Sequence, residues 1–227
     1  MKMYSTRLAF IFAFSIIYSM CSYSAHAVNI RIIDTQGQPL ENAVVSLPSV
    51  PKQAGTTIAV MDQIEQQFSP RVLTVSQGQA VSFPNSDNVR HHVYSFSKTK
   101  PFEIKLYSGT STSPVVFDSP GIIVLGCNIH DNMVGYILVK DGYWSGISAK
   151  DGIISLPTLT EDTAATIWHP LMSDDSKQIK KITLSAKQLT QSDTITITLD
   201  VTPVANKKGN SFKDRFKRNK KTDSYDN

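Results

Sequence analysis

Residues 121–140 read "GIIVLGCNIHDNMVGYILVK": two short apolar runs, "IIVL" and "GYILV", on either side of a polar turn. Runs of this length, rich in Ile and Val and bounded by glycine, are the pattern of buried strands. Asn128, Asp131 and Asn132 between them are turn formers, and Gly135 lies just past the turn. The segment therefore predicts strand, tight loop, strand. The loop carries a thiol, an imidazole and a thioether, on Cys127, His130 and Met133. Fully stretched, the first and last of these would lie about 20 Å apart. A tight loop at the end of a sandwich instead lets all three face a common point.

The same texture extends in both directions. Upstream, "VNIRIIDTQGQPLENAVVSL" (28–47) alternates apolar residues, turns at Asp34 to Gly37 and resumes at Val44. "PSVPKQAGTT" (48–57) has two prolines and a glycine and reads as a linker. "MDQIEQQFSPRVLTV" (61–75) holds a turn and then a strand, followed by "AVSFPN", "HHVYSFS", "FEIKLY" and "SPVVFD". Downstream, "DGIISLPTL", "AATIWHP", "KKITLS" and "DTITITLD" are four further strand candidates, and "SAKQLTQ" (185–191) is short for a helix. Short strands punctuated by Gly, Pro, Asp and Asn predict an all-β protein of the Greek-key sandwich kind. Two β cores fit the length.

The ends have a different character. Lys2 and Arg7 precede the apolar run "LAFIFAFSIIYSM", which leads into "SYSAHA". That order is a secretory signal peptide over residues 1–27, with cleavage expected after Ala27, so the mature chain is expected in the periplasm. Cys21 would leave with it, and Cys127 would be the sole remaining thiol. A lone thiol in an oxidising compartment is a liability unless it is buried or bound to metal. At the other end, residues 207–221 carry eight Lys or Arg against one Asp, within a chain of net charge +4. Residues 204–227 are therefore expected to be a disordered basic tail that aids solubility or docks to an anionic membrane or an acidic partner. The expected address excludes nucleic acid as a partner.

Thiolate, imidazole and thioether together select a soft or borderline ion, and two His with one Cys in a plane and a weak axial Met is the blue-copper arrangement. The second imidazole has two candidates in "FPNSDNVRHHV" (83–93): His91 and His92. Strand alternation groups His92 with Tyr94 and Phe96 on one face and favours His92, unless a bulge near the site breaks the alternation. A cysteine nucleophile would need an oriented base and an oxyanion site, and nothing in the chain supplies them. Zinc on one Cys and two or three His is chemically allowed. His169, in "WHP", reads as structural, beside Trp168 in the second core.

One early His followed much later by Cys-x2-His-x2-Met is the order found in cupredoxins, and "CNIHDNM" has the loop spacing of amicyanin. The run from "HHVYSFS" through "GCNIHDNMVGYILV" resembles the cupredoxin-domain proteins labelled methylamine-utilisation proteins. The resemblance implies one type 1 copper ion on His91, Cys127, His130 and Met133. The family's His-Asn-Val pattern selects His91, with His92 where the Asn stands. In the red-copper relatives a different axial group is used, for which Glu65 or Gln63 would be the counterpart. It further implies a single-electron carrier, not an enzyme. The electron exit would be at His130, and the transient partner a redox protein such as a cytochrome or dehydrogenase. Copper binding, delivery or envelope binding without electron transfer is the alternative.

The first block, strand, Asp-x-x-Gly-x-Pro-Leu, Ala-Val-Val, resembles carboxypeptidase-regulatory-like, prealbumin-type sandwiches, as does "KDGIISLPTLTEDTAATIWHP" (150–170). The expected organisation is a small sandwich of residues 28–58 and 141–203, with a cupredoxin domain over 59–140 inserted into it.

Overall fold

The computed structural model describes residues 28–52, 55–109, 113–172 and 178–201. The signal peptide and basic tail expected from sequence lie outside these residues. In chain order the strands are β1 (Asn29–Ile33), β2 (Val44–Pro51), β3 (Ala59–Val60), β4 (Asp62–Ile64), β5 (Gln67–Ser69), β6 (Val72–Ser76), β7 (Gln79–Ser82), β8 (His91–Ser95) and β9 (Phe102–Tyr107). There follow β10 (Val115–Phe117), β11 (Gly121–Gly126), β12 (Val134–Lys140), β13 (Tyr143–Ile147), β14 (Ile153–Ser155), β15 (Thr163–Trp168) and β16 (Lys180–Leu184). A short helix, α1 (Ala186–Gln191), leads to β17 (Thr194–Thr198).

These strands form four main sheets and a hairpin. A five-stranded sheet has the order β6-β12-β11-β8-β9, faced by a three-stranded sheet β10-β7-β3, with the β4-β5 hairpin beside them. All of those strands come from residues 59–140. The strands before and after supply the other two sheets, β14-β1-β17 and β13-β2-β15-β16. Within the second pair, β1 lies parallel to β17 and antiparallel to β14, so the N-terminal strand is held in the middle of a sheet by late sequence.

Side-chain alternation explains how the sheets stack. In β2, Val45 and Leu47 face Ile30 and Ile32 of β1, with Ala165 and Ile167 of β15 completing the same core. Val44 and Trp168 point the other way, against Val72, Tyr94, Ile122, Val124 and Tyr136 of the five-stranded sheet. The opposite face of that sheet supplies Val93, Ile123, Leu125, Ile137 and Val139 to a third core, shared with Phe83, Val81 and Phe117. The five-stranded sheet is thus buried on both faces, which is why "IIVL" reads as a continuous apolar run and not as an alternating one.

Several elements differ from the sequence expectation. The proline at 48 does not end β2, which runs on to Pro51. Its last four residues lie outside the buried run, where a missing amide costs little. "YWSGI" forms β13, an unforeseen edge strand carrying a register shift at Tyr143/Trp144. "AKQLTQ" is helical because Ser185 and Gln188 form a capping box. Leu189 anchors it in the core.

His169 follows β15 at a cleft lined by Leu40, Glu41, Asn42, Arg71, Pro170 and Leu171. Its Nε2–H donates to the Glu41 carbonyl at 3.0 Å and its Nδ1 accepts from the Leu171 amide at 3.1 Å. Both nitrogens are occupied by backbone, so the ring is built in as a neutral structural group. Burial pushes its pKa below the ordinary value, with the Arg71 charge acting in the same direction and the Glu41 bond against both.

Two consequences can be measured. The Trp168 ring packs edge-on to Tyr136 at 5.4 Å between centroids, in the layer joining the two pairs of sheets. Trp168→Ala should cost about 3–5 kcal/mol, read from the urea unfolding midpoint. Because the folded state holds His169 neutral, the unfolded chain binds a proton that the folded chain refuses. Stability is therefore expected to fall as pH drops through about 6.5, the ordinary His value. The difference in melting temperature between His169→Gln and the parent should move in the variant's favour between pH 7.5 and 5.5.

Candidate metal centre

β11 and β12 pair antiparallel from Gly121↔Val139 to Gly126↔Val134, so the loop 127–133 closes a hairpin. Two backbone bonds tighten it: the Cys127 amide donates to Met133 O at 3.3 Å and the Met133 amide to His130 O at 3.0 Å. Continuing the inward alternation of Ile123 and Leu125, Cys127 enters the third core and is 1% exposed. Met133 is fully buried in the same core. His130 stays half-buried at the loop's outer side, with Ile129 exposed beside it.

β8 delivers His91 from the neighbouring strand, with Tyr94 opposite Gly126. His91 Nδ1 lies 3.9 Å from Cys127 Sγ and His130 Nδ1 lies 3.7 Å from it. The ligand atoms of His91, Cys127 and His130 are all within 4.8 Å of one another. The two imidazoles meet edge-on, at 4.9 Å between centroids and 61° between planes.

The donor set fits a cation. His91 Nε2 is 2.7 Å from Asp87 Oδ2, so Nε2 carries the proton and Nδ1 presents a lone pair. Both Nδ1 atoms face the one sulfur. A soft or borderline ion bound at about 2.3 Å to sulfur and about 2.0 Å to nitrogen, in a trigonal arrangement, would separate sulfur from nitrogen by about 3.7 Å. The observed spacings match that value.

His92 lies outside the cluster. Alternation grouped it with Tyr94 and Phe96, and the three rings do stack along one face, at 5.3 and 5.1 Å. That face is the one turned away from Cys127. There His92 Nε2 sits 2.9 Å from Glu103 Oε1, but without hydrogen-bond alignment. β8 does slip register against β9 between His91 and Val93, yet His91 and Val93 both point inward.

Of the two other axial candidates, Glu65 is exposed at the β4-β5 turn, with φ of 51°. Gln63 is fully buried: its Nε2 donates to Pro84 O at 2.9 Å and to the Tyr107 hydroxyl, while Oε1 has no hydrogen-bond partner. The Tyr107 hydroxyl donates to Phe83 O at 2.5 Å, beneath its cross-strand neighbour His91. Burial pushes its pKa up to about 12, against the Gln63 bond and with help from Asp62 and Cys127, so it remains a neutral donor.

Sequence reasoning missed Asp87 and the way the β4-β5 hairpin reaches it. In the linear order Asp87 is one of several polar turn residues, and only the fold shows that its carboxylate meets His91. One local signal did exist: Gly135 lies under Phe68, whose Cβ would stand 2.8 Å from any added Cβ. A glycine inside an otherwise apolar strand marks such a close approach.

No protein-family model matches the chain, and no curated protein matches it. Among solved structures, part of the chain is similar to a copper-containing nitrite reductase from Thermus scotoductus, at 22% identity and TM-score 0.35, over 49% of this chain and 28% of that one. A purple cupredoxin from Nitrosopumilus maritimus aligns at 22% identity and TM-score 0.33, over 36% of this chain and 99% of that one. A reduced Cu(I) form of an amicyanin variant aligns at 18% identity and TM-score 0.34, over 42% and 98%. The chain thus spans less than a third of the reductase and nearly all of the two smaller proteins. These likenesses are partial, and the chemistry of the site rests on its own side chains.

Proposed function

We propose that this protein is a secreted, periplasmic type 1 copper protein that carries single electrons between redox partners and is not itself an enzyme. The observation that carries the reading is the convergence of His91 Nδ1, Cys127 Sγ and His130 Nδ1 on one point at the end of a sandwich. In this reading those three atoms would hold one copper ion, with Met133 as its fourth, weaker ligand. The ion would supply a one-electron Cu(II)/Cu(I) couple.

The chain's own residues do the rest. The loop bonds among Cys127, His130 and Met133, and the contact of His91 with Asp87, hold the donors in place before any ion arrives. Little reorganisation is then needed when charge changes. His91 and Cys127 are sealed from solvent, while His130 reaches the surface next to exposed Ile129. A partner such as a cytochrome or dehydrogenase would therefore approach at His130, through a small transient interface of below about 1,200 Å². We further assign residues 59–140 to the copper unit and residues 28–58 with 141–203 to the sandwich that receives it, because the strands divide between sheets along those lines.

Copper-loaded protein is expected to show an intense visible charge-transfer band, a type 1 EPR signal and a reversible one-electron wave. Colourless Cu(I) binding with no reversible couple would overturn the carrier reading in favour of copper delivery. Ligand choice has its own test: His91→Ala should abolish the visible band and His92→Ala should leave it. Full absorbance in the His91 variant would sink the assignment.

A further inference from the structure

Asp87 is held more tightly than a surface turn residue needs to be. The β4-β5 hairpin turns through Glu65 and Gln66, both with positive φ, of 51° and 59°. That turn aims two consecutive amides outward. The Glu65 amide donates to Asp87 Oδ1 at 2.9 Å and the Gln66 amide to Oδ2 at 2.8 Å. The third contact, on Oδ2 at 2.7 Å, is His91 Nε2–H. Asp87's own amide donates to Asn85 Oδ1 at 3.1 Å, and Asn85 Nδ2 bonds the Val89 and Tyr107 carbonyls, both at 2.9 Å, which fixes the turn to the sheet. Burial pushes the Asp87 carboxyl up, but the bonds from Gln66, His91 and Glu65 together hold it below the ordinary carboxylate range. Its two oxygens are oriented from three sides, by the Glu65 and Gln66 amides and the His91 ring.

We propose that Asp87 is a positioning residue for the metal site: clamped by the hairpin amides, it accepts the hydrogen bond of His91 Nε2–H, fixes Nδ1 as the metal-facing nitrogen and lowers the reduction potential of bound copper. This inference rests on the copper reading above. A carboxylate behind a metal-bound imidazole makes the ring a stronger donor, and loss of such a partner typically weakens metal binding ten- to a hundredfold. The added electron density favours the ion of higher charge, so Cu(II) is stabilised over Cu(I). No atom changes place; the effect is electrostatic, carried through one hydrogen bond.

Asp87→Asn keeps the size and one acceptor and removes the charge. Copper-loaded variant and parent are compared by voltammetry and by Cu(II) competition titration, and the metal-free forms by thermal unfolding. The variant should bind Cu(II) ten- to a hundredfold more weakly. Its potential should rise by about 59 mV for each tenfold loss that is selective for Cu(II). A lowered melting temperature with an unchanged potential overturns the inference, because Asp87 would then only anchor the hairpin. The parent alone supplies a second measurement that does not depend on the variant folding: long-range proton–nitrogen NMR of metal-free protein should show His91 protonated at Nε2. Protonation at Nδ1 instead overturns the proposal. A parent that takes up no copper overturns the functional reading and the potential effect with it, while the His91 tautomer still decides whether Asp87 sets the ring.

Discussion

Everything at the site depends on the register of β11 against β12 within a sheet buried on both faces. Ile123 and Leu125 belong to the core shared with the three-stranded sheet, and Ile122 and Val124 to the layer shared with Trp168 and Val44. Cys127 is the next inward position after Leu125, so its burial is inherited from the alternation before it. A slip of one residue would turn Cys127 to the opposite face and carry every apolar partner with it. With apolar demand on both sides, such a slip is strongly penalised.

That constraint places one donor; the others are placed by short-range closure. The loop needs only the bonds between Cys127 and Met133 and between His130 and Met133 to bend seven residues into a turn. His91 arrives on a different strand but at the same height, because β8 pairs Tyr94 with Gly126, the residue before Cys127. Two sequence-distant donors are thus aligned by backbone pairing, before any side-chain chemistry contributes.

How much of this was legible in the sequence follows from the range of each interaction. The hairpin around 127–133 was readable because its strands, turn formers and ligand types are contiguous. The all-β class was readable because the period-2 and apolar-run patterns recur along the whole chain. β13 escaped because "YWSGI" is an edge strand with two aromatics and a glycine and little buried apolar surface of its own. α1 escaped because its stability comes from the Ser185–Gln188 box and one anchoring leucine, not from a long periodic face. Alternation correctly grouped His92, Tyr94 and Phe96; what it lacked was the knowledge of which face carried the thiol. Asp87 was invisible because its meaning depends on two amides from a hairpin some twenty residues earlier.

The middle layer has a further implication for the site. Tyr94, Ile122, Val124 and Tyr136 form an apolar face on the outside of the five-stranded sheet. Exposed in a free-standing sandwich, that face would be a contiguous hydrophobic patch of the kind monomeric proteins avoid. Here Val44 and Trp168 cover it, with Ile147 and Ile179 packed alongside. The strands on either side of residues 59–140 therefore act as the second wall of the sheet that carries Cys127. Their contribution reaches the site mechanically: with β11 gripped from both faces, the cysteine at its end is held in place by packing on either side of its strand.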